Sequence, residues 1–289
     1  MAKRRANRTT PTTALVAAPS GPPSIPRVLN CRPSRIDFAR MTDLLRPAPP
    51  LGLAPPQPID YRAPWWTVGE QLSTGSCVGW AVADGMLRWH FVQKGWLGQA
   101  ERLSTRYLWM AAKESDEFER ERPESFIESA GTSIAAALRI ARDLGCVKES
   151  VLPFQSGQFY PGETDRFYAE AAKLRIRDYE VLQLDPGRWK QWLSDGRGPI
   201  AARILVDDKL LHARHDPAAP APSPRLTANF DPRPDPPGHA ISIVGFTGSN
   251  LFIIRNSWGD AHWGDKGFAY AEEAYIVKAV TECFGVHVA

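Results

Sequence analysis

No run of about eighteen apolar residues occurs in the chain, so an ordinary membrane-spanning helix is not expected. Cysteine is scarce: Cys31, Cys77, Cys146 and Cys283 are the whole set. If one of them is a reactive thiol, the other three cannot all pair with one another. A disulfide framework is therefore not expected, and a reducing, cytoplasmic setting is. Cys146 and Cys283 read as small buried hydrophobes. Negative charge is missing from the first 36 residues, which hold Lys3, Arg4, Arg5, Arg8, Arg27, Arg32 and Arg35 before the first acid, Asp37. The net charge of +3 thus sits at one end, and the remainder is slightly acidic. A nucleic-acid surface on the folded body is not indicated. The apolar part of this basic stretch, Ala14 to Ala18, is short for a secretory leader, and the stretch reads as a disordered tail.

What is abundant is proline, and its placement divides the chain. Residues 1–58 are rich in Pro, Ala and Arg and read as a mostly irregular arm, with one short helix possible over 36–45. A domain is expected over 59–289. Helical spacing of apolar residues predicts helices over 77–93, 104–114 (Ser104 as N-cap), 133–144 (Gly145 just past its end) and 163–173. Gly79 and Gly85 interrupt the first of these and predict close packing there. After about residue 178 the period changes. Strands are predicted over 179–184, 199–206, 239–246, 251–255 and 267–271, with a short helix near 188–193. This is an α+β pattern with a helical lobe (about 70–177), a sheet lobe (about 178–289) and a cleft between them. Residues 207–237 carry eight prolines and cannot form a central strand; they read as a loose loop or a semi-rigid flap ending at His239.

One constellation carries chemistry. Cys77 follows Gly75 and Ser76 where a loop becomes a helix, and the unpaired N–H groups there favour a thiolate. His239 opens an apolar strand, 162 residues downstream. Asn256 ends the next strand, where its amide oxygen can orient the imidazole. Trp258 can cover that hydrogen bond. Gln71 can donate to an oxyanion alongside the Cys77 N–H. Taken singly, each has a bland reading: a buried thiol, a core histidine, a turn with an aromatic plug, a surface glutamine. His212, His215 and Asp216 have a weak metal-ligand spacing, and neither a metal nor an organic cofactor is expected.

Order, spacing and context together resemble the papain-like cysteine peptidases, from Ile59-Asp60-Tyr61-Arg62 to about Tyr270. The matching pieces are Gln71 with Cys77, Gly198-Pro199-Ile200, Gly238-His239-Ala240 followed by Val244-Gly245-Phe246, and Asn256-Ser257-Trp258-Gly259 followed by Trp263-Gly264 and Gly267-Phe268. Gly131-Thr132-Ser133 looks like the glycine-led segment that pairs with substrate backbone. There are departures. Thr74 stands where the family often has a disulfide cysteine, Val78 where tryptophan commonly follows the nucleophile, and Gly238 where a polar residue often precedes the histidine. A long helical inhibitory pro-domain does not fit in 58 proline-rich residues.

The resemblance implies a two-lobed fold with a barrel-like sheet lobe. It implies peptide-bond hydrolysis through a Cys77 thioester, with His239, Asn256 and Gln71 in the roles above. Gly131, Gly238 and Trp258 are expected to line a peptide or protein substrate. Transfer of the acyl group to an amine, a catalytically silent peptide-binding role, and a processing enzyme narrowed by the proline-rich flap are the alternatives.

Overall fold

The computed structural model describes residues 14–16, 26–35, 55–116, 127–155, 160 and 162–289. The helix considered over 36–45 lies outside the described residues. The helical lobe is built on Cys77. Helix α1 (Cys77–Gly79) continues through a π-helical stretch, Trp80–Leu87, into α2 (Arg88–Gln93). Around it pack α3 (Thr105–Ser115) and α4 (Ile134–Asp143), with α5 (Thr164–Ala171) outside them. Ser104 and Ser133 cap α3 and α4 by accepting the N–H of Tyr107 and Ala136.

The single helix expected over 77–93 is thus widened in its middle. The glycines sit at the reason. A Cβ on Gly79 would lie 2.4 Å from the Thr105 carbonyl, and one on Gly85 would lie 2.2 Å from Ser242 Oγ. That hydroxyl donates to the Ala81 carbonyl at 3.1 Å, entering the helical ladder from the side.

The sheet lobe has eight strands: β3 (Ile59–Asp60), β4 (Asp178–Leu182), β5 (Ile200–Leu205), β6 (Arg225–Leu226), β7 (Gly238–Phe246), β8 (Leu251–Arg255), β9 (Phe268–Glu272) and β10 (Val280–His287). Their order is β4-β10-β5-β7-β8-β9-β6, with β3 also on β7. Only β6 with β9 is parallel. The expected barrel-like closure is not formed, and the sheet is open. Its two ends are β4 and β6, and β6 is a two-residue strand in the proline-rich segment, which lacks the donors to extend a ladder. Two further helices, α6 (Pro186–Ser194) and α8 (Glu273–Ala279), lie on the sheet. Between them in sequence comes the short α7 (Asp208–Leu211). The end of the chain, β10, was not foreseen from the sequence, although it pairs with both β4 and β5. Its residues Thr281, Glu282 and Gly285 dilute the alternation that marks a strand.

The proline-rich segment is anchored to the domain. Leu210 and Leu226 are buried in the sheet core, Phe230 meets Tyr275 edge-on, and Trp263 Nε1 donates to the Leu210 carbonyl at 2.6 Å.

A buried charge cluster joins the lobes. Asp84, in the π-helical stretch, is 1% exposed; it accepts from Arg255 at 2.6 Å, Arg88 at 3.1 Å and Arg102 at 3.2 Å. Burial opposes the Asp84 charge, yet Arg255, Arg102 and Arg88 outweigh it and hold the carboxyl below its usual value. Asp84→Ala leaves guanidinium groups buried without their anion and should cost about 3–5 kcal/mol in urea unfolding. The carboxylate's contribution is full above its unfolded value of about 4 and is lost as pH falls through the lower folded value. Stability measured across that acid range should therefore fall less steeply in Asp84→Asn than in the parent.

Candidate active site

The loop before Cys77 is fixed from two sides. Gln71 N–H donates to the Ser257 carbonyl and Gly259 N–H to the Gly69 carbonyl, both at 2.9 Å, with a bridge between Glu70 and Trp258. The strip 69–71 is thereby paired with 257–259. On the other side, Gly75 N–H donates to the Glu128 carbonyl at 2.6 Å, and a Cβ on Gly75 would lie 2.6 Å from the Ser129 carbonyl. Only glycine allows this approach. Thr74, in the position where the family often has a cysteine, donates its hydroxyl to the Gln71 carbonyl at 2.7 Å. Cys77 then opens α1 directly.

His239 is the second residue of β7, a strand whose nine residues are all buried. Asn256 follows the last residue of β8. The His239 Nε2–Asn256 Oδ1 distance is 2.7 Å, and the same oxygen accepts the Ser257 N–H at 2.8 Å. Trp258 lies over the imidazole with ring centroids 4.6 Å apart and planes 31° apart, so it shields this hydrogen bond. The other ring nitrogen, Nδ1, is buried and has no hydrogen-bond partner among the described residues.

The Cys77 thiol is held well below its ordinary value. A hydrogen bond with the Cys31 thiol is the largest cause. Burial opposes it, and His239 and the Ala240 N–H add to the lowering. Burial pushes Cys31, Cys146 and Cys283 the other way.

Gln71 is brought to the same place. Ser257 Oγ donates to its Oε1 at 2.7 Å, and its Nε2 donates to the Thr74 carbonyl at 2.9 Å and the Val28 carbonyl at 3.3 Å. Ser257 had drawn no separate notice in the sequence. Its signal was its position between the asparagine and the tryptophan.

The Val28 contact shows what fills the cleft. β2 (Arg27–Leu29) pairs with β1 (Ala14–Val16), where irregular chain was expected, and runs on across the site to Arg32. Arg27 forms an ion pair with Glu70 and donates to the Trp258 carbonyl at 3.3 Å. Cys31 N–H donates to the Gly238 carbonyl at 2.9 Å, and Arg32 N–H to the Thr132 carbonyl at 3.0 Å. Gly131 and Gly238 both face this segment: a Cβ there would lie 1.7 Å from the Asn30 carbonyl and 2.3 Å from the Cys31 carbonyl. Gln71, Cys77 and His239 are 0% exposed and Asn256 is 2% exposed, so all four candidate residues are sealed from solvent. Among the described residues, a short extended strand covers the site. The apolar pair Val28-Leu29 was the sequence signal for it. His212, His215 and Asp216 are not brought into a metal-binding group; among the described residues there is no cluster of three potential ligands.

Comparison with known proteins gives the family and the fold. The family described as papain family cysteine protease matches residues 55–283, and the chain belongs to that family. Among solved structures, it is similar to xylellain, a cysteine protease from Xylella fastidiosa, at 20% identity and a TM-score of 0.63, covering 82% of this chain and 87% of that one. It is also similar to digestive procathepsin L 3 of Tenebrio molitor larval midgut, at 16% identity and a TM-score of 0.56, covering 82% and 72%. A third match is a structure from work on the mite allergens Blo t 1 and Der p 1, at 18% identity and a TM-score of 0.58, covering 88% and 78%. These likenesses concern the fold. A comparison with curated proteins found no match.

Because the arm seals Cys77, weakening it should expose the thiol. Arg27→Ala combined with Val28→Asp removes an ion pair and a buried apolar side chain, about 2 kcal/mol together, and should speed epoxide labelling of Cys77 about tenfold or more over the parent. Mass mapping of the labelled peptide checks this; Cys146 and Cys283 should stay unlabelled.

Proposed function

We propose that the chain hydrolyses peptide bonds by acyl transfer through a thioester on Cys77. The observation that carries this reading is the His239 Nε2–Asn256 Oδ1 contact of 2.7 Å, which leaves the other ring nitrogen for the Cys77 sulfur. Cys77 attacks the peptide carbonyl as a thiolate paired with the His239 imidazolium. Gln71 Nε2 and the Cys77 backbone N–H stabilise the oxyanion. His239 then protonates the leaving amine. Water attacks the thioester with His239 as base, and a second oxyanion collapses to release the acid. Asn256 holds the imidazole in register and Trp258 keeps water from that hydrogen bond.

Catalysis requires residues 27–32 to leave the cleft, since Val28 occupies one donor of Gln71. A peptide or protein substrate takes their place. Gly131 and Gly238 admit its backbone as they admit the arm's, and the carbonyls of Thr132 and Gly238 are acceptors for its N–H groups. The four cysteines are unpaired, which supports work in a reducing compartment.

Cys77→Ala should abolish both epoxide labelling and hydrolysis of a peptide library by an arm-opened variant. Labelling that persists in that variant would remove Cys77 from the mechanism. Gln71→Ala should lower kcat by about 10²–10³-fold, the cost of one oxyanion donor. Asn256→Ala should reduce turnover without eliminating it. Mass analysis of products with an added amine separates hydrolysis from transfer: free carboxyl termini support hydrolysis, and amide adducts as the main product overturn it.

A further inference from the structure

The cleft brings two thiols together, and the mechanism uses only one of them. Cys31 is 3% exposed and belongs to the same buried cluster as Cys77 and Ala240. Each thiol is the strongest side-chain influence on the other, raising Cys31 and lowering Cys77, and the Cys31 thiol also donates to the Arg32 carbonyl at 3.8 Å. The residue is clamped along the backbone. Its N–H is held by the Gly238 carbonyl, its carbonyl accepts from Arg203 Nε at 2.9 Å, and its neighbour Arg32 is held by Thr132. Asn30, on the other side, donates its side-chain amide to the Ser129 carbonyl at 2.8 Å. Arg203 is itself fixed on β5 by Thr281 Oγ1 at 2.8 Å. The residue is therefore fixed between Gly238, which precedes His239, and the 129–132 segment, which packs against Gly75 two residues before Cys77. All four cysteines are unpaired in this structure.

We infer that Cys31 is a redox partner of Cys77: oxidation joins the two sulfurs in a disulfide that fastens the arm in the cleft, and a thiol reductant releases it. The inference rests on Cys77 being the nucleophile of the proposed hydrolase. A peroxide is the oxidant. The Cys77 thiolate attacks one peroxide oxygen; an S–O bond forms, the O–O bond breaks and hydroxide leaves. The Cys31 sulfur then attacks the sulfenic sulfur. The S–S bond forms, the S–O bond breaks, and the departing hydroxide takes the Cys31 proton and leaves as water. Two thiols lose two electrons and two protons, and one peroxide becomes two waters.

Opening is directional. His239 and the Ala240 N–H stabilise Cys77 as a thiolate, which makes it the better leaving group. A small-molecule thiolate attacks the Cys31 sulfur, and Cys77 departs ready to react. A second thiol frees Cys31 and leaves as the small-molecule disulfide. The latch protects as well as inhibits, because a disulfide withholds Cys77 from further oxidation to the sulfinic acid, which thiols do not reverse.

The test uses the full chain, reduced and then treated with hydrogen peroxide, followed by non-reducing peptide mapping. The expected product is a Cys31–Cys77 crosslinked peptide, two hydrogens lighter than its parts, with Cys146 and Cys283 still reduced. Epoxide labelling of Cys77 should be lost and should return with dithiothreitol. In Cys31→Ser, peroxide should drive Cys77 to the sulfinic acid, and labelling should not return. The inference is overturned if wild type and Cys31→Ser give the same Cys77 oxidation products, or if no crosslinked peptide forms. Hydrolysis by the reduced, arm-opened protein is scored separately. Crosslinking without hydrolysis supports the thiol pair and removes the hydrolase reading; hydrolysis without crosslinking does the reverse.

Discussion

The site depends on the ion pair between Asp84 and Arg255. Asp84 lies seven residues past Cys77 on the helix that the cysteine opens, and Arg255 immediately precedes Asn256. Their 2.6 Å contact therefore ties the nucleophile's helix to the strand end that carries the orienting amide. Buried ion pairs are seldom net stabilising, because desolvation of both charges offsets their attraction. This one has more support than a lone pair. Arg88 and Arg102 share the carboxylate, and Arg255 donates to the Thr67 carbonyl at 2.9 Å and lies 4.9 Å from the centre of the Trp66 ring. Its value lies in direction. Apolar packing would hold the lobes together, while a charged contact also fixes how far the helix is advanced relative to the strand, and an imidazole must meet a sulfur across that junction.

The same economy governs the loop at residues 69–76. Gln71 is not held by one partner; its backbone is paired with 257 and its amide oxygen with Ser257 Oγ. Moving the asparagine loop thus moves Gln71, the proposed oxyanion donor, with it. Cys77, His239, Asn256 and Gln71 come from four places in the chain, but they are coupled through one short stretch, residues 255–259.

Much of this was legible in the sequence, and for identifiable reasons. Apolar spacing located the Cys77 helix, both serine-capped helices and the strands carrying His239 and Asn256, because each buries one face and is capped or ended by residues suited to it. Cys77, His239, Asn256 and Gln71 stood out because their chemistry makes sense only together. The failures have a common cause, which is dependence on distant partners. The π-helical widening answers Ser242, which lies on β7. β10 earns its place from neighbours on both sides, since its own alternation is weak. The open sheet follows from the shortness of β6. The arm reads as irregular because proline and alanine dominate it, and its extended segment takes hydrogen bonds from Gly238, Thr132 and Gln71 as well as from β1.

The arm also explains how a strand can lie against a nucleophile without offering itself for cleavage. A peptide carbonyl must place its oxygen on the oxyanion donors while its carbon faces the sulfur. Here the two requirements are met by different residues. The carbonyl that reaches Gln71 belongs to Val28, whereas the side chain that most strongly lowers the Cys77 thiol is that of Cys31. The carbonyl of Cys31 itself is turned to Arg203. The two carbonyls are directed to different partners, so on the proposed mechanism the strand occupies the cleft as a ligand and not as a substrate. The Cys31 side chain carries no electrophilic carbon at its tip, so the thioester chemistry proposed for Cys77 has nothing to attack there.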